Sequence, residues 1–180
     1  MISSSGCGVR RFTGLNSPTT YLINGTSHIR QEKNQCGLAC LSMVFRYWGR
    51  NDIDLSPIES SYALKAENLK KFAEQQGFFA FVYSGSPKDL KEQLDKGRPI
   101  IVMTKYIFKL PPMRELQLAK KIVGEGSNHY SVVIGYDDTK RIYIISDPAR
   151  KTPITIDRFL FEEKWAECDY LTILVVPMIK

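Results

Sequence analysis

The stretch CGLACLSMVFRYWG, residues 36 to 49, constrains the fold of this chain more than any other. Leu38, Leu41 and Phe45 recur at i, i+3 and i+7, while Cys40, Met43, Val44 and Tyr47 fill the neighbouring stripe. The spacing predicts a helix from Cys36 to about Tyr47, ended by Gly49. A helix apolar over so much of its circumference is a buried one. The rest of the chain must cover it, and 180 residues give room for one domain with a sizeable core.

The cover is legible in the flanking segments. Residues 1–20 are small, polar and without period, a flexible lead-in to a single domain over 21–180. YLINGTSHIRQ (21–31) alternates weakly and reads as an incoming extended strand. Ser56-Pro57-Ile58-Glu59 joins a capping box to a proline at the first helical position and starts a second helix. A third runs from Ala66 to Gln76, with Leu69, Phe72 and Ala73 on one face and Gly77 as its stop. FFAFVY (78–83) reads as a strand. Ser86-Pro87-Lys88-Asp89 opens another helix, closed by Gly97, and PIIVM (99–103) is an apolar strand.

Residues 104–127 hold Pro111-Pro112 and the helix-prone RELQLAKKI, and read as an insertion beside the sheet. HYSVVIGY (129–136) and RIYIISD (141–147) flank the short polar link Asp137-Asp138-Thr139-Lys140 and form a hairpin. In the first of these strands Gly135 permits close strand packing. A strand near 152–156, a helix near 157–166 and YLTILVV (170–176) complete the order. Helices first and mostly antiparallel strands after make an α+β fold, the buried helix lying against the sheet.

Composition excludes several functions. The apolar fraction of 43% belongs to a globular chain, and no apolar run approaches the ~18 residues of a membrane span. The net charge of +6 is dispersed in pairs such as Arg10-Arg11 and Lys120-Lys121, with no RNA-binding signature, so nucleic acid is not an expected partner. With no apolar signal segment the chain reads as cytoplasmic. Ser5-Gly6-Cys7 would make it a cell-envelope lipoprotein if those residues are the remnant of a trimmed signal. No metal or organic cofactor is expected. Cys7, Cys36, Cys40 and Cys168 are too few for a disulfide scaffold, and a second ligand pair for a zinc site is missing.

Cys36 is thus either a small packed apolar residue or a nucleophile. A thiol attacks as thiolate and needs something to lower its pKa. The N-terminus of the predicted helix is one such device, and an imidazolium is a stronger one. His129 opens an apolar strand, and antiparallel pairing of 129–136 with 141–147 brings Asp147 to the same end, where a carboxylate can fix the ring's orientation. Gln31 is the preferred side-chain amide for a developing oxyanion, with the backbone N–H of Cys36 as the second donor. Gln35 adjoins the cysteine too closely to reach back easily. Cys40, Tyr47 and Trp48 are expected in the core, Cys168 as structural, and His28 as surface or structural.

These residues also carry a resemblance. Gln31-x-x-x-Gln35-Cys36-Gly37-Leu38-Ala39-Cys40-Leu41, then His129-Tyr130-Ser131-Val132-Val133-Ile134-Gly135-Tyr136-Asp137, then Asp147-Pro148, is similar to the bacteriocin-processing cysteine peptidases, in their stand-alone, peptidase-like branch. The resemblance runs from about residue 24 to 177 and implies a papain-like fold acting on a peptide or protein substrate. It implies Cys36 as nucleophile, His129 as base, Asp147 as its orienting partner and the glutamine as oxyanion donor. Many exporter-linked members place that glutamine six residues before the cysteine, whereas here it is five before. Those members continue into membrane spans and an ATPase; this sequence holds neither a span nor a phosphate-binding G-x-x-x-x-G-K-[ST]. Besides peptide hydrolysis, the same site admits transfer of the acyl group to an amine, and the same fold a catalytically silent binding module.

Overall fold

The computed structural model describes residues 19–32, 35–58, 65–105 and 128–178. Cys7, most of the lead-in and most of the insertion after residue 105 lie outside them. The elements are β1 (Thr20–Leu22), α1 (Cys36–Tyr47), α2 (Ala66–Gln75), β2 (Phe78–Ser84), α3 (Pro87–Asp95) and β3 (Ile100–Lys105). After the insertion come β4 (Asn128–Asp137), β5 (Ile142–Ser146), β6 (Ile154–Asp157), α4 (Arg158–Ala166) and β7 (Leu171–Pro177). Seven strands form one sheet in the order β2-β7-β3-β4-β5-β6, with β1 pairing a further stretch of β4. Every pairing among the described residues is antiparallel. This is an α+β fold of the papain-like peptidase kind.

The buried helix is α1. Leu38, Cys40, Leu41, Met43, Val44 and Phe45 are all buried and pack with α2 against Tyr130, Val132, Ile134, Ile101 and Ile173 of the sheet. Each large apolar side chain removed from water here contributes roughly 1.5–3 kcal/mol. Its C-terminal aromatics are tied down as well: Trp48 Nε1 donates to the Val175 carbonyl at 3.0 Å and the Tyr47 hydroxyl to that of Gly97 at 2.6 Å. The opposite face of the sheet carries a second core, built by Leu90 and Leu94 of α3 and Phe161 and Trp165 of α4 over Ile100, Val133 and Tyr143. The sheet is therefore covered on both faces.

Local chemistry sets the helix ends. Ser86 caps α3 by accepting from the Asp89 N–H, with Pro87 at the first position. Gly49, Gly77 and Gly97 take positive φ, as helix-stopping glycines do. The incoming segment differs from expectation. Only Thr20–Leu22 of the incoming stretch is strand, because Asn24-Gly25 turns the chain there, with Gly25 at φ 82. Ser56–Ile58 forms a 3-10 turn in which the Ser56 hydroxyl donates to Asp54 at 2.7 Å; the remainder of the expected second helix, residues 59–64, lies outside the described ones. The first two residues assigned to the insertion, Thr104 and Lys105, belong to β3.

One irregularity has a long reach. β4 and β5 pair Val132 with Ser146 and Val133 with Ile145, but then Gly135 with Ile144, so Ile134 is an extra residue. Such a bulge exchanges the two faces of everything beyond it. Accordingly Val133 and Tyr136, an odd number apart, both join the second core. At this point β1 crosses close by: a β-carbon on Gly135 would lie 2.4 Å from the Tyr21 carbonyl oxygen and 3.1 Å from Leu22 Cα. Both are backbone atoms of the paired strand, so only glycine fits. Gly135→Ala is expected to lower stability by about 1–3 kcal/mol, as overpacking does. In urea unfolding the midpoint should fall with little change in slope; an unchanged midpoint would contradict the close approach.

Candidate functional site

Cys36 is the first residue of α1. The preceding Gln35 makes no side-chain cap, which leaves the first backbone N–H groups free for another acceptor. The Cys36 sulfur takes that place, with hydrogen bonds from the N–H groups of Gly37 and Tyr130. Gly37 allows this approach, since a β-carbon there would meet Leu69 Cδ1 at 3.1 Å and the Tyr130 ring at 3.3 Å. The thiol also hydrogen-bonds the ring of His129. Cys36 is half-buried, whereas Cys40, one turn inside, is fully buried in the core.

His129 and Asp147 are both buried, at 7% and 6% exposure, and His129 Nε2 lies 2.7 Å from Asp147 Oδ1. An ionised carboxylate only accepts, so Nε2 carries the hydrogen and Nδ1 is the nitrogen left for the thiol. The β4 bulge makes this contact. Carried one step past Val132–Ser146, the register sets residue 147 level with Ser131, on the same face as His129. Without the extra Ile134 it would be level with Val132, on the opposite face.

The electrostatics follow from these contacts. Burial alone would raise the Cys36 pKa, but the hydrogen bonds from His129 and Tyr130, the imidazolium charge and the Gly37 N–H bring it down. Burial alone would lower that of His129, but its bonds to Asp147 and Cys36, and their charges, hold it up to about 9. Asp147 is shifted down: the cost of its burial is outweighed by the His129 bond and charge, the Ala149 N–H and the Arg150 charge. The pattern favours thiolate beside imidazolium. Cys40 shows the contrast, its thiol pushed up by burial and by the neighbouring charges of Cys36 and Asp147.

Gln31 stands next to the loop after β5, its N–H donating to the Pro148 carbonyl at 2.9 Å. Its side-chain oxygen is buried and has no hydrogen-bond partner among the described residues. The structure thus joins Cys36 to His129 and His129 to Asp147, and ties the Gln31 backbone to the loop that bears Asp147. Sequence reasoning missed the residues that complete the arrangement. Tyr130 contributes a backbone N–H, which no side-chain pattern reveals. Ala149 and Arg150 follow Asp147 in a tight turn: the Ala149 N–H donates to Oδ1 at 2.9 Å and Arg150 Nε approaches Oδ2 at 3.4 Å. The Asp-Pro-Ala-Arg order carried that signal, since aspartate readily accepts from a backbone N–H two residues on. His28, expected as surface or structural, bonds Ser146 and the Arg150 carbonyl. Among the described residues no cluster of three or more His, Cys, Asp or Glu has the geometry to hold a metal ion, and no helix is long and apolar enough to cross a membrane.

Three solved structures with this fold are named as peptidases or peptidase domains. A Bacillus anthracis protein assigned as a C39-like peptidase superposes with a TM-score of 0.64 at 19% identity, covering 89% of this chain and 99% of that one. The double-glycine-motif protease of an AMS/PCAT transporter, solved with its leader peptide, gives 0.60 at 19% identity, covering 88% and 95%. The peptidase domain of Streptococcus ComA, a bi-functional ABC transporter of a quorum-sensing pathway, gives 0.58 at 20% identity, covering 83% and 97%. At these identities the likeness is one of fold. No curated protein sequence matches significantly. The family model, however, matches residues 23–173, a span that takes in both α1 with Cys36 and the hairpin with His129 and Asp147. This chain belongs to the Peptidase_C39 like family.

Proposed function

We propose that this chain is a cysteine peptidase that cleaves a peptide bond through an acyl-enzyme. The observation that carries the reading is the continuous hydrogen-bonded line from the Cys36 thiol through the His129 ring to Asp147 Oδ1, 2.7 Å from Nε2. A carboxylate behind an imidazole fixes its tautomer and supports its positive charge. The Cys36 thiolate adds to the scissile carbonyl carbon. The negative charge passes to the carbonyl oxygen, received by the Gln31 amide and the Cys36 N–H. His129 then gives its proton from Nδ1 to the leaving amine, and the C–N bond breaks to leave a thioester on Cys36. Water, deprotonated by the now neutral Nδ1, adds to the thioester, and Cys36 departs as thiolate beside a re-formed imidazolium.

The substrate is a peptide or protein segment. Leader peptides of the kind found in complex with the double-glycine-motif protease are the first class to assay. Hydrolysis is favoured over transfer to an amine in this reading, and product analysis with an added amine separates the two.

Three outcomes test the reading. At pH 6 iodoacetamide should label Cys36 faster than Cys40 or Cys168, and His129→Ala should abolish the advantage, as site-mapped mass spectrometry reads. Equal labelling of all three thiols contradicts the role of Cys36. The second outcome is the pH dependence of kcat/KM. His129 must be protonated beside the thiolate, and its pKa is raised to about 9. Activity is therefore retained below that value and lost as the pH rises through it; on the acid side it is lost as Cys36 takes up a proton. A fall already complete near pH 7 would mean that Asp147 does not hold the imidazolium. Third, Gln31→Ala should lower kcat by about 10²–10³ while leaving Cys36 alkylation unchanged, because the glutamine acts on the oxyanion and not on the sulfur.

A further inference from the structure

The loop bearing Asp147 is held from outside by residues 28–31, of which only Gln31 has been given a role in the chemistry. His28 Nδ1 lies 2.6 Å from the Ser146 hydroxyl, and Nε2 lies 3.0 Å from the Arg150 carbonyl. Three residues on, the Gln31 N–H donates to the Pro148 carbonyl at 2.9 Å. Residues 28–31 thus bond residues 146, 148 and 150, immediately before and after Asp147. A carbonyl only accepts, so Nε2 of His28 carries a hydrogen. Nδ1 then faces the hydroxyl of Ser146, a residue also held by its pairing with Val132 and by a bond to Met43 Sδ of α1 at 3.2 Å. His28 is half-buried, and its ring spans a turn that the Asp147 carboxylate cannot fix alone. That carboxylate accepts from Ala149 within the turn and from His129 Nε2 across the hairpin.

We infer that His28 is a positioning residue: by bridging Ser146 and the Arg150 carbonyl it sets where the Asp147 carboxylate stands, and through it how His129 meets the Cys36 sulfur. The inference rests on the Cys36–His129–Asp147 reading of the site and extends it to a residue outside the three. The strap is also short. Its far end is Gln31, five residues before Cys36 in the sequence.

The test is the pH profile of Cys36 alkylation by iodoacetamide, from pH 4 to 10, in the whole chain and in three variants. His28→Ala removes both bonds. His28→Gln keeps an N–H that can reach the Arg150 carbonyl, and Ser146→Ala removes the bond on the other side. The other titratable groups around the sulfur and its partners, His129, Asp147, Arg150, Tyr130 and Cys40, are the same in all four proteins. Circular dichroism and the urea midpoint identify the variants that are folded. In His28→Ala the thiolate limb should move up by about one pH unit, read as labelling about tenfold slower at pH 6 with an unchanged plateau at pH 10. His28→Gln and Ser146→Ala should fall between it and the parent.

In the parent and His28→Gln, the downfield proton resonance of His129 Nε2–H against Asp147 should persist; in His28→Ala it should move or broaden. Folded variants whose profiles overlay the parent's overturn the role of His28, and so does a fall of equal size at every pH, the mark of a merely structural contact. If His28→Ala does not fold, the other two variants decide by the same criteria. A parent with no reactive limb below pH 7 overturns the site reading, and with it this extension.

Discussion

The candidate site depends on which face of the sheet the residue after β5 is given. A hairpin with regular pairing over its whole length would set residue 147 level with Val132, and the carboxylate would point away from the imidazole two positions before Ser131. The extra Ile134 shifts the pairing by one, and with a side-chain period of two that is enough to exchange faces. The bulge in turn stands where β1 leans on Gly135 with no space for a side chain. The 2.7 Å contact between His129 and Asp147 is thus set up several residues away, by a packing constraint between backbones.

The second requirement is a helix end that stays put. α1 is buried along most of its length, so it cannot slide or tilt without exposing its core side chains, each of which would cost roughly 1.5–3 kcal/mol. The rigidity serves the exposed end, where Cys36 sits with no capping side chain before it. Free N–H groups at a helix start favour an anion by about 0.3–1 kcal/mol. That is a small part of what a thiolate needs, and the imidazole supplies the larger one. Helix and hairpin are therefore complementary, and Tyr130 of β4 joins them, its backbone N–H toward the Cys36 sulfur and its ring against Gly37 of α1.

Much of this architecture is legible in the residues. The apolar stripe of α1, the proline and serine at the start of α3, and the glycines after α1, α2 and α3 each carry a local physical cause, and the elements lie where those causes put them. Reading failed where a competing local turn won. Asn24-Gly25 turned the incoming strand after three residues. For the site, residue types and chain order single out Cys36, His129, Asp147 and Gln31. Their supporting contacts were silent, because Tyr130 acts through its backbone and His28 through partners 118 and 122 positions away.

The sequence by itself determined the α+β class, the buried helix with a cysteine at its start, and a hairpin whose two ends carry a histidine and an aspartate. It could do so because periodicity, capping and turn chemistry act over a few residues. The tertiary structure alone decided that the aspartate shares a face with the histidine, that the ring turns Nε2 to the carboxylate and leaves Nδ1 for the sulfur, and that His28 and Gln31 hold the loop between them. Each of those depends on a strand register or on a contact between distant segments. A pattern along the chain does not encode a shift of one residue between two strands; the close approach of a third strand does.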